Sequence, residues 1–225
     1  MNVAEVFDEF SQNSYTENIS KWVPYYYEML GSVGNIEITK SDVRKILDIG
    51  CGNGNLTKIL LEKFSEAEFV LLDASELMLE ESKKRFSGRN FNYLNSYFQE
   101  AELGRNQIDL AVAVLSLHHL NQKDKMSFYE KVFNALTPGG KFVFSDLCID
   151  KLNPEHDKML SSWKEVSTSK GTTKDDWEWV MNHYSNFDFP SSLEFHEQAL
   201  KAAGFSDVSV VWQREKYWTT LISTK

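Results

Sequence analysis

The reading of the fold turns on "KILDIGCGNGNLTKILLEKF", Lys45 to Phe64. An apolar β-type run enters a glycine-rich turn and leaves in an amphipathic helical pattern. Such a turn brings the backbone close to a ligand, because glycine carries no Cβ and tolerates positive φ. The stretch predicts strand, tight turn and helix, with a nucleotide-like molecule held at the turn.

The same pattern repeats downstream. Apolar runs "RKILDI", "EFVLLD", "NFNYL", "IDLAVAVL" and "GKFVFSDL" alternate with helical segments "NLTKILLEKF", "SELMLEESKKRF" and "KDKMSFYEKVFNAL". Strand–helix repetition with short connections predicts a parallel sheet covered by helices on both faces. "TPGG", Thr137 to Gly140, is expected as a tight turn feeding the fifth strand. Residues 151–190 break the alternation. They read as an inserted helical cap made of "PEHDKMLSSWKEV" and "TKDDWEWVMNHY". Residues 191–225 return to the core as a helix and two strands. Those strands are too closely spaced for a parallel crossover, so a hairpin is expected and the last strand is antiparallel. Residues 1–34 read as a helical lid. "VAEVFDEF" puts Val3, Val6, Phe7 and Phe10 on one face, and a second helix over Glu17 to Leu30 contains Pro24 in its first turn or at a kink. The whole is one α/β domain, with 43–150 as its ligand-binding core.

Bulk composition narrows the partners. The 225 residues suffice for one well-cored domain. A net charge of −9 disfavours a surface that neutralises many phosphates, although one structured RNA such as a tRNA could still dock locally. The short basic patch Lys83-Lys84-Arg85 reads as a solvated helix face. Cys51 and Cys148 are far apart and no Cys/His metal spacing occurs, so neither a metal nor a disulfide is expected. The acidic start "MNVAEVFDEF" lacks the apolar core of a signal peptide, and no apolar run is long enough to span a membrane. A reducing, cytoplasmic setting is expected, with a small molecule as substrate and room for a homodimer.

The residues around the turn separate the candidate ligands. A dinucleotide fingerprint, G-x-G-x-x-G, would need its third glycine at position 55. Here that position is Asn55 and the glycine comes one residue early, at Gly54. Asp48 at the strand end would be a poor neighbour for a pyrophosphate. It would welcome an ammonium group. S-adenosyl-L-methionine carries an α-ammonium, a carboxylate and a sulfonium, and no phosphate. Asp73, closing "FVLLDAS", can accept two hydrogen bonds from ribose hydroxyls. The structural alternative for Asp73 is capping the next helix, a task Ser75 can perform itself.

Taken in order, "ILDIGCGNGNLT", "LLDASELMLE", "DLAVAVLSLHHL" and "LTPGGKFVFSD" resemble the motifs of class I S-adenosylmethionine-dependent methyltransferases. The resemblance covers Val43 to Asp146, with an echo at "LKAAGFSDVSVVW". The opening and ending of the chain also look like a subgroup labelled tRNA-uridine methyltransferase or carboxy-S-adenosylmethionine synthase-like. The family implies a Rossmann-like, seven-stranded, mostly parallel sheet with the cofactor across the carboxyl ends of its first strands. Residue by residue, it implies Asp48, Gly50, Cys51, Gly52 and Gly54 at the methionine end and Asp73 at the ribose. It implies Ala74, Ser75 and Met78 beside the adenine. Leu115, closing the fourth strand, and Tyr15, from the lid, are further candidates for cofactor contact. The acid usual after the third strand is missing from "YLNSYFQEAEL", which leaves Ser96 and the Tyr97 backbone as its replacements.

The acceptor side is expected from the aromatic segments on either side of the core and from the ends of the fourth and fifth strands. Tyr26, Trp163 and His183 are its candidates, with Asp146 leaving the fifth strand. His118 is the candidate base, since imidazole can titrate near working pH. The expected reaction is in-line methyl transfer to a small molecule. Two other readings stay open: a carboxy-S-adenosylmethionine synthase-like or tRNA-modifying enzyme, and a non-catalytic module that only binds S-adenosylmethionine.

Overall fold

The structure is a computed structural model that describes residues 15–39 and 42–225. The first predicted helix, carrying Val3 to Phe10, lies outside the described residues. Seven strands form one sheet in the order β3-β2-β1-β4-β5-β7-β6. The strands are β1 (Lys45–Ile49), β2 (Glu68–Asp73), β3 (Asn92–Asn95), β4 (Ile108–Val114), β5 (Leu136–Leu147), β6 (Ser206–Arg214) and β7 (Trp218–Thr224). The first five pair in parallel, and β7 runs antiparallel to both β5 and β6. The reversal of strand order falls between β1 and β4, where an open α/β sheet places its ligand crevice.

Eight α-helices are present among the described residues. They are α1 (Tyr15–Trp22), α2 (Tyr26–Gly34), α3 (Asn55–Lys63), α4 (Glu76–Arg85), α5 (Gln122–Ala135), α6 (His156–Ser169), α7 (Lys174–Phe187) and α8 (Leu193–Ala203). Alternation along the strands divides the core into two faces. Leu47 and Ile49 of β1 face α5 and α8, whose Phe128, Val132 and Leu200 join the same cluster. Ile46 faces the other way, against Leu30 and Val33 of α2 and Leu56 and Leu60 of α3. A third cluster, with Trp22, Met159, Trp163, Val180 and Trp218, packs α1, α6 and α7 over the end of the sheet. α6 and α7 fall within residues 151–190, the segment expected as a cap. No helix among the described residues is long and apolar enough to cross a membrane.

Two local expectations are corrected. Pro24 does not kink one helix; it separates two. α1 ends at Trp22 and Tyr25 takes a left-handed conformation (φ 59) before α2 begins. Proline has no N–H to continue the ladder and restricts the residue before it. "TPGG" is not a separate turn but the irregular start of β5. Leu136 already pairs with Ile108, while the next partner of β4, Leu110, faces Lys141, so the extra residues bulge out through Gly139 (φ 80).

Gly54 caps α3 at φ 83, and a Cβ there would lie 2.4 Å from the Phe86 ring. The early third glycine therefore lets the end of α4 pack against the start of α3. Gly54→Ala is expected to cost about 2–4 kcal/mol from left-handed strain and overpacking. Chemical denaturation would measure it, with part of the loss recovered in a Phe86→Leu background. A loss below about 0.5 kcal/mol would contradict this packing role.

Candidate active site

The turn after β1 and the turn after β2 are spliced by one carboxylate. Asp73 accepts from the Gly52 N–H at 2.8 Å and from the Ser75 N–H at 2.9 Å. Ser75 caps α4 through its own hydroxyl, which accepts from the Met78 N–H. Asp73 is thus not needed as a cap, and it lines a cavity of about 250 Å³ together with Gly50, Gly52, Ala74, Ser75, Met78 and Tyr97. Gly52 sits at φ 52, and a Cβ on it would meet nothing within 4 Å. Its bare backbone faces ligand space.

Asp48 lies at the other end of the turn, in a narrower recess with Cys51, Tyr26 and Asn55. It is 1 % exposed. Its carboxylate accepts from the Thr57 hydroxyl of α3 at 2.5 Å. Burial, reinforced by the nearby Asp73 charge and opposed by Thr57, pushes Asp48 up to about 7. Burial likewise pushes the Cys51 thiol up. Tyr26 belongs here and not with the acceptor: its hydroxyl accepts from the Asn55 amide at 2.7 Å. Asn55 stands where a dinucleotide fold has glycine. The hydroxyl of Thr16 in α1 donates to its carbonyl at 3.3 Å, and Arg85 donates to the same oxygen at 2.7 Å.

A second cavity, lined by Trp22, Trp163, Trp179, Val180, Tyr184 and Trp218, opens beside the first. Tyr15 and Leu115 line both cavities and the Asp48 recess, so they stand at the junction. Leu115 is held there in a left-handed conformation, φ 53. His118 and His183 line the aromatic cavity, whereas His119 lines the Asp73 cavity. No Arg or Lys lines any of the three spaces among the described residues.

Asp146 does not contact this space. It is 2 % exposed and accepts four hydrogen bonds: from the N–H groups of Leu117 and His118 on one oxygen, and from the Leu147 N–H and His118 Nδ1 on the other. The expected substrate contact is therefore a positioning residue that holds the short 3₁₀ turn Leu117–His119. Burial disfavours the His118 imidazolium, but Asp146 and Asp188 outweigh it and push His118 up to about 9. Asp146 and Asp188 thus flank the ring of His118, the expected base, on both of its nitrogen sides. His119 moves the other way, down, through burial and the neighbouring His118. Burial works against the Asp188 carboxylate, yet the three histidines hold it well below the usual range.

Ser96 stands apart from the cavity lining, and its hydroxyl donates to the Tyr97 carbonyl. Phe98 and Gln99 occupy the wall beyond Tyr97. Gly54, a packing residue, also stays outside the lining. Gln99 and Asp188 are not marked by the sequence. "HH" marked His119, but nothing marks Asp188. It joins the site because the Phe189 N–H donates to the His118 carbonyl, and because Lys125 bridges the Leu120 and Phe189 carbonyls.

Residues 46–140 match the profile of a methyltransferase domain. The chain is 24% identical to a carboxy-S-adenosyl-L-methionine synthase of Helicobacter hepaticus, over 97% of this chain and 91% of that protein. A SAM-dependent methyltransferase of Leishmania major superposes with a TM-score of 0.64 at 20% identity, covering 94% of this chain and 82% of that one. Human N-acetylserotonin methyltransferase, solved in complex with SAM, superposes with a TM-score of 0.61 at 14% identity, covering 99% of this chain and 55% of that one. Strand order, the glycine turn with its paired acids and the matched core converge: residues 46–140 are a methyltransferase-type domain, and the chain has the fold of the S-adenosylmethionine-dependent methyltransferases it superposes on.

Proposed function

We propose that the Asp73 cavity and the Asp48 recess hold S-adenosylmethionine, and that the aromatic cavity holds a small, largely apolar methyl acceptor. The observation that carries this reading is the contact between the two cavities at Tyr15 and Leu115, with acids on one side and tryptophans on the other. The fit to the cofactor rests on three local features. Asp73 presents carboxylate oxygens to ribose hydroxyls, Gly52 leaves room where a side chain would intrude, and Asp48 meets an ammonium. When bound, S-adenosylmethionine supplies a methyl group already activated on a cationic sulfur. The chain's own residues orient and desolvate. Tyr15 and Leu115 border the passage between donor and acceptor. Trp163 and Trp179 exclude water and offer ring faces to an apolar or cationic acceptor. In the transfer, the S–CH₃ bond breaks as the acceptor–CH₃ bond forms in line. An acceptor bearing a proton releases it to solvent.

The second reading is carboxy-S-adenosylmethionine synthesis, and the relatives of that name favour it. That product carries an extra carboxylate beside the sulfonium. The cavity walls described above offer it no Arg or Lys, so methyl transfer is the reading we favour. Mass spectrometry of the ligand that co-purifies with the protein separates the two. A carboxylated cofactor would overturn our choice. A tRNA acceptor fits poorly with the net charge of −9.

The activity test is a metabolite-extract screen with methyl-labelled S-adenosylmethionine, with Asp73→Ala as the blank. Loss of two charge-assisted hydrogen bonds is expected to weaken cofactor binding by about 2–4 kcal/mol, roughly 30- to 1,000-fold by calorimetry. Equal binding by Asp73→Ala would remove the ribose assignment.

Asp48 sets a pH dependence. Below about 7 its carboxyl is protonated in the folded chain, and an incoming ammonium must displace that proton. Affinity for S-adenosylmethionine is expected to rise up to about tenfold per pH unit toward pH 7 and then level off. The linkage to folding has the opposite sense. Because the folded state holds the proton more tightly than the unfolded one, stability falls as pH rises from the ordinary carboxylate range to about 7. Asp48→Asn should flatten both profiles, and an affinity profile that keeps its slope in that variant would exclude Asp48 as the ammonium partner.

A further inference from the structure

Three imidazoles converge on one buried carboxylate oxygen. His119 Nδ1 lies 3.2 Å from Asp188 Oδ1, His183 Nε2 lies 3.4 Å from it and His118 Nε2 lies 3.8 Å from it. Asp188 is 8 % exposed, and all three rings face this one oxygen. One donor atom from each of His118, His119 and Asp188 falls within 4.8 Å of the others. Two of the three N···O separations exceed the usual hydrogen-bond range of about 2.7–3.2 Å. Where this same cluster does make a hydrogen bond, between His118 Nδ1 and Asp146, the distance is 2.6 Å.

Tetrahedral coordination has its own spacing. Metal–ligand bonds of about 2.0–2.1 Å place neighbouring N and O ligands about 3.3 Å apart, close to the separations from His119 and His183. The outer shell is also that of a metal site. Asp146 engages His118 Nδ1, which leaves Nε2 as the ligating atom, the carboxylate–histidine arrangement that orients metal ligands. The backbone is fixed independently, by the Phe189 N–H on the His118 carbonyl and by Lys125 on the Phe189 carbonyl.

We propose that His118, His119 and Asp188, with His183 beside them, form a binding site for a divalent first-row transition ion such as zinc or ferrous iron. An imidazole-rich donor set favours such an ion over magnesium or calcium. His119 borders the proposed cofactor cavity, and His118, His183 and Asp188 border the aromatic one. The ion would lie between donor and acceptor, where it could hold an acceptor oxygen or nitrogen as a Lewis acid. That role rests on the methyl-transfer reading; the binding site does not.

The full chain, stripped with a chelator and dialysed, is titrated with cobalt(II) and with zinc(II). One ion per chain is expected, with the visible absorption bands of four- or five-coordinate cobalt and with zinc competing for the same site. His119→Ala and Asp188→Asn should each weaken binding at least about tenfold. Circular dichroism and thermal denaturation would establish that both variants still fold. Weak, non-saturable binding by the wild-type chain overturns the proposal, and needs no variant to fold. So does saturable binding that survives both substitutions in folded protein. Loss of cofactor binding in the metal-free wild type would count against the cavity assignment and leave the metal titration to stand by itself.

Discussion

The site depends first on the Asp73 carboxylate. One side chain accepts from the turn after β1 and from the turn after β2, joining two loops about twenty residues apart in sequence. Hydrogen bonds from N–H groups to a charged acceptor are the stronger kind. With the Gly52 N–H tied to Asp73, the glycine turn cannot close over the ledge where the cofactor is proposed to lie. The two left-handed glycines on either side of Cys51 then become a requirement of the path from β1 to α3. Gly54 serves packing against Phe86, and its early position follows from that.

Asp146 plays the matching part at the end of β5. Its four hydrogen bonds organise the turn that carries His118 and His119, and its burial between β5 and that turn makes each one costly to lose. The two carboxylates thus organise opposite walls of the junction. Asp73 shapes the wall facing the proposed donor. Asp146 shapes the wall facing the proposed acceptor without lining it.

The parts legible in the sequence are those fixed by short-range chemistry. Short apolar runs between helical segments identified all seven strands, and "DIGCGNG" with Asp73 identified the ledge between β1 and β2. Ser75 capping its own helix was also readable, because a cap acts within three residues. Pro24 and "TPGG" were placed less well, since a break and a kink look alike in sequence and a bulge depends on its partner strand. Tyr26 and Asp146 were assigned to the acceptor on position alone. Each has its polar atoms taken by a partner from another element, Asn55 for one and the Leu117–His119 turn for the other. Asp188 carried no local signal: it lies 69 residues beyond His119 and reaches it only because Lys125 and Phe189 lash the two segments together.

Pro24 has a consequence at longer range. By ending α1 at Trp22 it leaves the last carbonyls of that helix without partners inside the helix. Side chains of α6 take them up. Trp163 Nε1 and the Ser167 hydroxyl both donate to the Trp22 carbonyl, at 2.6 and 2.8 Å, and Lys170 donates to the carbonyls of Ser20 and Val23. α1 also contacts the glycine turn, where Asn53 donates to Thr16. The N-terminal segment is therefore bonded both to the turn proposed to hold the methyl donor and to the cap that walls the acceptor cavity. Displacing α1 to admit the donor would break the Thr16 contacts and pull on the bonds to α6. Keeping α1 in place leaves Tyr15 at the junction of the two cavities. A helix break set by one proline thus ties access to the proposed donor site to the shape of the aromatic cavity.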